Sequence, residues 1–122
     1  MATLTVKLSL VSTNATSDSL NISVTDTVTS ANDVVQKRVV TSTTATKFLE
    51  ADDFTNKCYV YLKNLSTTTD EIIYIRSGAT DSANLHDLHP GEFVFFSWSA
   101  VEDLNYDAYS GTPVLEVYAF EA

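Results

Sequence analysis

The chain has 122 residues and a formal net charge of −9, with 44% hydrophobic residues, three glycines, two prolines and one cysteine. That apolar content is too high for a disordered chain, and the length is that of one domain able to bury its own core. The lone Cys58 rules out an intramolecular disulfide, and so acidic a chain lacks the basic footprint for binding nucleic acid or an anionic membrane surface.

Residues 3–11 open the chain with Leu4, Val6, Leu8 and Leu10 alternating with Thr3, Thr5, Lys7 and Ser9. This period of two predicts a strand with one apolar face. Residues 12–19 are polar and read as a loop, after which Leu20, Ile22 and Val24 alternate with Asn21, Ser23 and Thr25 as a second strand. Thr and Val dominate residues 25–46. Their β-branched side chains disfavour helix and suit a pleated surface, but the adjacent pairs Val34-Val35 and Val39-Val40 leave the register open. Residues 48–54 have room for no more than a short turn of helix.

Residues 57–65 predict a strand with Cys58, Val60 and Leu62 on one face and Tyr59, Tyr61 and Lys63 on the other. Residues 66–70 read as a polar turn and residues 71–76 as the returning hairpin partner. Residues 77–89 read as loop, ending in the turn signal His89-Pro90-Gly91. Residues 92–98 are the most aromatic strand. A short strand within residues 101–109, a turn at 110–113 and a closing strand at 114–121 complete the chain. The expected fold is all-β: one antiparallel β-sandwich or jelly-roll-like barrel of about eight short strands, spanning residues 1–122 as a single domain.

Charge is unevenly placed. Residues 1–65 carry six acids and six bases, whereas residues 66–122 carry ten acids and only Arg76 as a base. The surplus favours solubility or contact with a basic partner. No basic segment followed by an apolar stretch opens the chain, and no apolar run approaches ~20 residues. The expectation is a protein made in the cytoplasm, without a membrane span. Three N-x-[ST] sequons, at Asn14, Asn21 and Asn64, read as chance matches in a Thr/Ser-rich chain.

Residues suited to catalysis are scattered. Cys58 shares a strand face with Val60 and Leu62, the position of a small core residue rather than an activated thiolate. No nucleophile elbow or phosphate-binding glycine loop is present. His86 and His89, with Asp87 or Glu92, are metal-compatible types. However, Pro90 and Gly91 oppose a helix there, and in a strand a spacing of three sends two side chains to opposite faces. The adjacent acids Asp52/Asp53 and Glu102/Asp103 lack the fixed separation that glycoside hydrolysis requires, and Asp81 and Asp87 are too dispersed for a calcium loop. The expectation is a non-enzymatic protein without metal or cofactor.

Apolar surplus is the stronger signal. Phe93–Trp98 places Phe93 and Phe95 on one face and Val94, Phe96 and Trp98 on the other. Tyr59 and Tyr61 load the face opposite Cys58, and residues 114–120 set Val114, Tyr118 and Phe120 against Leu115, Val117 and Ala119. Either these strands are covered on both sides by their own chain, or one face meets another subunit. The residues expected at such an interface are Tyr59, Tyr61, Phe96, Trp98 and Tyr118.

The run Cys58-Tyr59-Val60-Tyr61-Leu62-Lys63-Asn64-Leu65, the run from Leu88-His89-Pro90-Gly91-Glu92 to Phe96, and Val114-Leu115-Glu116-Val117-Tyr118 together resemble small virion proteins of tailed bacteriophages, cyanophages among them. The Leu4–Leu10 strand and the Thr-rich residues 20–30 are similar to that group as well. The resemblance implies a structural protein of the virion, assembled in the host cytoplasm, with no catalytic residues to transfer. Its expected role is a capsid decoration (cement) protein that forms a homo-oligomer, such as a trimer, and contacts the major capsid protein or other virion proteins. A tail, fibre or head–tail connector component is the alternative within that class. A carbohydrate-binding module with open tyrosines and tryptophan is the alternative outside it.

Overall fold

The computed structural model describes residues 1–122, and the chain divides into two compact units, Met1–Ala31 and Asn32–Ala122. The first unit is an antiparallel hairpin of β1 (Ala2–Ser12) and β2 (Leu20–Ser30), paired in unbroken register from Ala2 opposite Ser30 to Ser12 opposite Leu20. Its connecting loop begins with an ST-turn, in which the Ser12 hydroxyl accepts from the amides of Asn14 and Ala15 at 3.3 and 3.0 Å. The sequence placed these strands in one sandwich with the rest of the chain. Instead they form a two-stranded sheet of their own, paired along its full length.

The second unit contains β3 (Val34–Val40), β4 (Thr46–Leu49), a single 3₁₀ turn (Ala51–Asp53), β5 (Cys58–Asn64), β6 (Ile73–Ser77), β7 (His86–Leu88), β8 (Phe93–Trp98), β9 (Leu104–Ala108) and β10 (Val114–Glu121). They form two four-stranded antiparallel sheets, ordered β3-β10-β5-β8 and β4-β9-β6-β7. One core cluster joins them, with Cys58, Val60, Leu62, Leu115, Val117 and Ala119 from the first sheet and Ile73, Ile75, Leu104 and Tyr106 from the second. This is the expected antiparallel β-sandwich. Both sheets are open, with β3 and β8 at the edges of one and β4 and β7 at the edges of the other.

Several details depart from expectation. Residues 71–76 do not pair with β5, because β10 and β8 already occupy both of its edges. The chain crosses after Asn64, and β6 pairs with β7 and β9 in the opposite sheet. β7 lies within the span read as loop; three residues are too short for a period-two pattern to register. The valine pairs are resolved by register: Val35 and Val39 pack against the core, whereas Val34 and Val40 are exposed. In β4 the ladder shifts between Lys47 and Leu49, and this irregularity turns both Phe48 and Leu49 inward, at 5% and 3% exposure.

Polar groups fasten the strand ends. The Thr41 amide and hydroxyl both donate to the Pro113 carbonyl, at 3.0 and 2.6 Å. The carboxylate of Glu121, buried at the end of β10, accepts from the amides of Thr55 and Asn56 at 2.7 and 2.8 Å. These amides hold its acid below the ordinary carboxylate range. On the outer side of the second sheet, Arg76 pairs with Asp107 at 3.0 Å and donates to Asn84 and the Thr80 carbonyl, pinning the loop before β7.

Candidate functional site

Strand alternation and register together build one aromatic surface. Tyr59 and Tyr61 point outward from β5 because Cys58, Val60 and Leu62 fill the core. On one side Tyr61 lies opposite Tyr118, and Tyr59 opposite Phe120. On the other, Tyr61 lies opposite Phe95, and Lys63 opposite Phe93. Six rings therefore share the outer face of β10, β5 and β8. Tyr59 and Phe95 stack with centroids 6.4 Å apart and planes 4° apart. Tyr61 meets Tyr118 edge-on at 5.8 Å and Phe93 at 6.3 Å, while Tyr118 and Phe120 stack at 6.2 Å.

This surface is open. Phe93 is 65% and Phe95 37% exposed, and the flanking Val34 is 49% exposed. Three cations border it. Lys57 places its ammonium 5.1 Å from the Tyr59 ring centroid. Lys63 and Arg38 stand in the row containing Glu116, and Arg38 reaches that carboxylate at 3.6 Å. An apolar centre with a polar, charged rim is the anatomy of a protein interface. Three of the protein's seven Lys and Arg residues thus border its aromatic face, a placement that composition alone does not convey.

Of the residues expected at an interface, Tyr59, Tyr61 and Tyr118 come together here. Phe96 and Trp98 do not: β8 faces the other way. Trp98 is 5% exposed, opposite Cys58, with Phe54 edge-on at 5.5 Å and its indole N–H donating to the Glu102 carbonyl at 3.1 Å. Phe96 lies opposite Val60 and packs against the core. Their places outside are taken by Phe93, Phe95 and Phe120. Ser97, on the face of Phe93 and Phe95, was the available signal, since a hydroxyl alternating with phenylalanines marks the wet side of a strand.

The other sequence candidates are dispersed. His86 points inward, its ring 4.9 Å from that of Phe96, with a buried Nε2 that has no hydrogen-bond partner. Burial lowers its pKa. His89 is exposed and begins a tight turn in which Gly91 adopts φ +82°. The His89 amide donates to the Glu92 carboxylate at 2.7 Å, and the Glu92 amide returns to the His89 carbonyl at 2.9 Å. No three His, Cys, Asp or Glu side chains converge on a common point. Cys58 is fully buried, and burial, aided by the Glu121 carboxylate, pushes its thiol up to about 11. Asp103 accepts from the Ala51 amide at 2.8 Å and pairs with Lys47 at 3.2 Å, a structural brace beneath the 3₁₀ turn.

Asn64 escaped sequence reading. It is a buried side chain on the inner face of β5, with its nitrogen donating to the Glu71 and Leu88 carbonyls and its oxygen accepting from the Ser66 amide at 3.0 Å. It joins the two sheets, and the asparagine of this sequon is fully buried in the folded chain.

Compared with known proteins, the chain matches no family model, and no curated protein or solved structure matches it either.

Proposed function

We propose that this protein is a non-enzymatic structural subunit of a tailed-phage virion, acting as a capsid decoration protein that docks through the outer face of β10, β5 and β8. The observation that carries the docking role is the six-ring aromatic surface with Phe93 at its exposed edge and Lys57, Lys63 and Arg38 around it. Aromatic side chains bring large contact area with little conformational entropy, so they concentrate binding energy where water is excluded. The cationic rim suits an acidic partner surface and would steer its approach. That differs from the simple expectation of an acidic protein meeting a basic one. The phage assignment rests on the resemblance of the β5, β8 and β10 segments to small virion proteins. Stabilisation would follow mass action, each copy adding binding free energy only to the assembled particle.

Quantitative mass spectrometry of purified virions tests this reading. Decoration predicts on the order of hundreds of copies per particle, set by icosahedral symmetry, whereas about a dozen copies would move the protein to the tail or connector. Absence from particles would overturn the reading.

A second reading, carbohydrate binding, draws on one observation: the Phe95 ring is 37% exposed with the Tyr59 ring parallel to it, and sugars stack on exposed aromatic rings. It predicts hits on a glycan array that disappear in Phe95→Ala.

A further inference from the structure

We propose that β8 is a pairing edge, along which a second copy of this chain adds its own β8 antiparallel, about a two-fold axis through Phe95. The proposal concerns the rim of the sheet rather than its aromatic face, and it is independent of the virion assignment.

The backbone of β8 divides between its two sides. The Asn64 amide donates to the Glu92 carbonyl at 3.0 Å, whereas the Leu65 amide donates the other way, to the Val114 carbonyl, at 2.9 Å. Hydrogen bonding alternates along an antiparallel ladder. Leu62, Val60 and Cys58 therefore exchange bonds with Val94, Phe96 and Trp98, their register partners. The N–H and C=O groups of Phe93, Phe95 and Ser97 are left pointing away from β5, where the sheet ends.

Sheets protect such edges with charges, proline, bulges or brevity, because an unprotected edge is a template for another strand. The other edges of this sandwich show these devices. β3 contains Lys37 and Arg38, and Lys37, on the face of Val35 and Val39, donates to the Phe48 carbonyl of β4. β4 is four residues long, with a register shift and Lys47. β7 is three residues long and includes Asp87. β8 has none of them: it runs for six residues without charge, proline or glycine, in unbroken register with β5.

Main-chain donors and acceptors spaced along an extended strand bind another extended strand. A second β8 complements this one because its free groups are symmetric about Phe95. Antiparallel pairing sets Phe95 opposite Phe95 of the second copy, and Phe93 opposite Ser97. All the free groups then exchange bonds, about six in total. Val94 faces Phe96 on the inner side, apolar against apolar, and no charge of the paired strands meets a like charge. The two-fold axis closes the assembly at two copies. It also joins two four-stranded sheets into one, with both aromatic faces on the same side. Affinity comes from main-chain bonds more than from area, so the dissociation constant is expected at roughly 0.1–1 mM.

The test is residue-resolved amide hydrogen exchange on the full chain at roughly 50 μM and 1 mM, alongside sedimentation velocity. The Phe93, Phe95 and Ser97 amides are expected to exchange about twofold or more slowly at the higher concentration. Those of Val94, Phe96 and Trp98, bonded to β5, should be protected at both. Ser97→Pro removes one outward N–H while sparing the ladder to β5. It should weaken dimerisation about 10-fold or more, with Ser97→Ala near wild type. Near-UV circular dichroism of Trp98, the only tryptophan and a core residue, reports whether the sandwich has stayed folded. Should Ser97→Pro fail to fold, exchange in the wild type decides alone. A wild type that is monomeric throughout overturns the proposal. So does association that leaves the three outward amides unchanged. Association lost in Tyr118→Asp but kept in a folded Ser97→Pro also overturns it, by placing self-contact on the aromatic face.

Discussion

The side-chain amide of Asn64, at the end of β5, donates a 2.9 Å hydrogen bond to the Leu88 carbonyl of β7 and so ties one sheet of the sandwich to the other. The same nitrogen donates to the Glu71 carbonyl at 2.8 Å. Asn64→Ala leaves two carbonyls and the Ser66 amide without their partner in a dry site, at a cost of about 3 kcal/mol in urea unfolding. Asn64→Asp is expected to be worse, because it turns a donor toward two carbonyls into a buried anion. An alanine variant within ~0.5 kcal/mol of wild type would show that the tie contributes little.

Acid should destabilise the sandwich in two steps. Burial lowers the His86 pKa below 6.5, so the unfolded chain takes up its proton first. The contribution of neutral His86 is complete above about 6.5 and shrinks as the pH falls toward the folded value. The Asn56 and Thr55 amides lower Glu121, and the Ala51 amide with Lys47 lowers Asp103. Their contributions are complete above ordinary values of 4.5 and 3.8 and disappear as the pH drops through the lower folded ones. Thermal midpoints should therefore hold above pH 7, decline below about 6.5 and fall again below about 4.5. His86→Leu should erase the first decline and raise neutral-pH stability by on the order of 1 kcal/mol, by removing an unpartnered buried nitrogen. A first decline that persists in this variant would place its origin elsewhere.

Cys58 should be chemically silent in the native protein. Its thiol is fully buried and raised to about 11, so little thiolate exists at pH 8. Ellman's reagent should report no fast-reacting thiol in buffer and one per chain in denaturant. Rapid labelling of the folded chain would contradict this placement.

The two faces of β8 should respond oppositely to mutation. Phe93→Ser removes a ring that is 65% exposed and should change stability by no more than ~0.5 kcal/mol. Trp98→Ala empties a core site and should cost about 3–5 kcal/mol. Equal costs from the two substitutions would mean that the face assignment is inverted.

Much of this architecture was legible residue by residue. Alternation gave the faces of β1, β5 and β10, and Cys58 fell where a core residue belongs. What alternation cannot supply is which face of one strand joins which face of the next. Alternation alone therefore leaves Phe96 and Trp98 grouped with Tyr59 and Tyr61, although the ladder sets Phe95, not Phe96, beside Tyr61. Pairing partners were equally hidden. β6 follows β5 after a short polar turn, the usual signature of a hairpin, but both edges of β5 belong to strands that arrive later in the chain. Asn64 was opaque for a related reason: its role depends on carbonyls seven and twenty-four residues away.

The measurement that bears most directly on the proposed role is binding of the purified chain to virions lacking it, wild type against Phe93→Asp/Phe95→Asp. Both substitutions lie among the exposed rings of the aromatic face and leave the core untouched. Wild type should saturate the particles, and the variant should bind at least about 100-fold more weakly, as expected when charges replace interface-centre aromatics, with its near-UV spectrum unchanged. A folded variant that binds as tightly as wild type would show that the virion is engaged by some other surface.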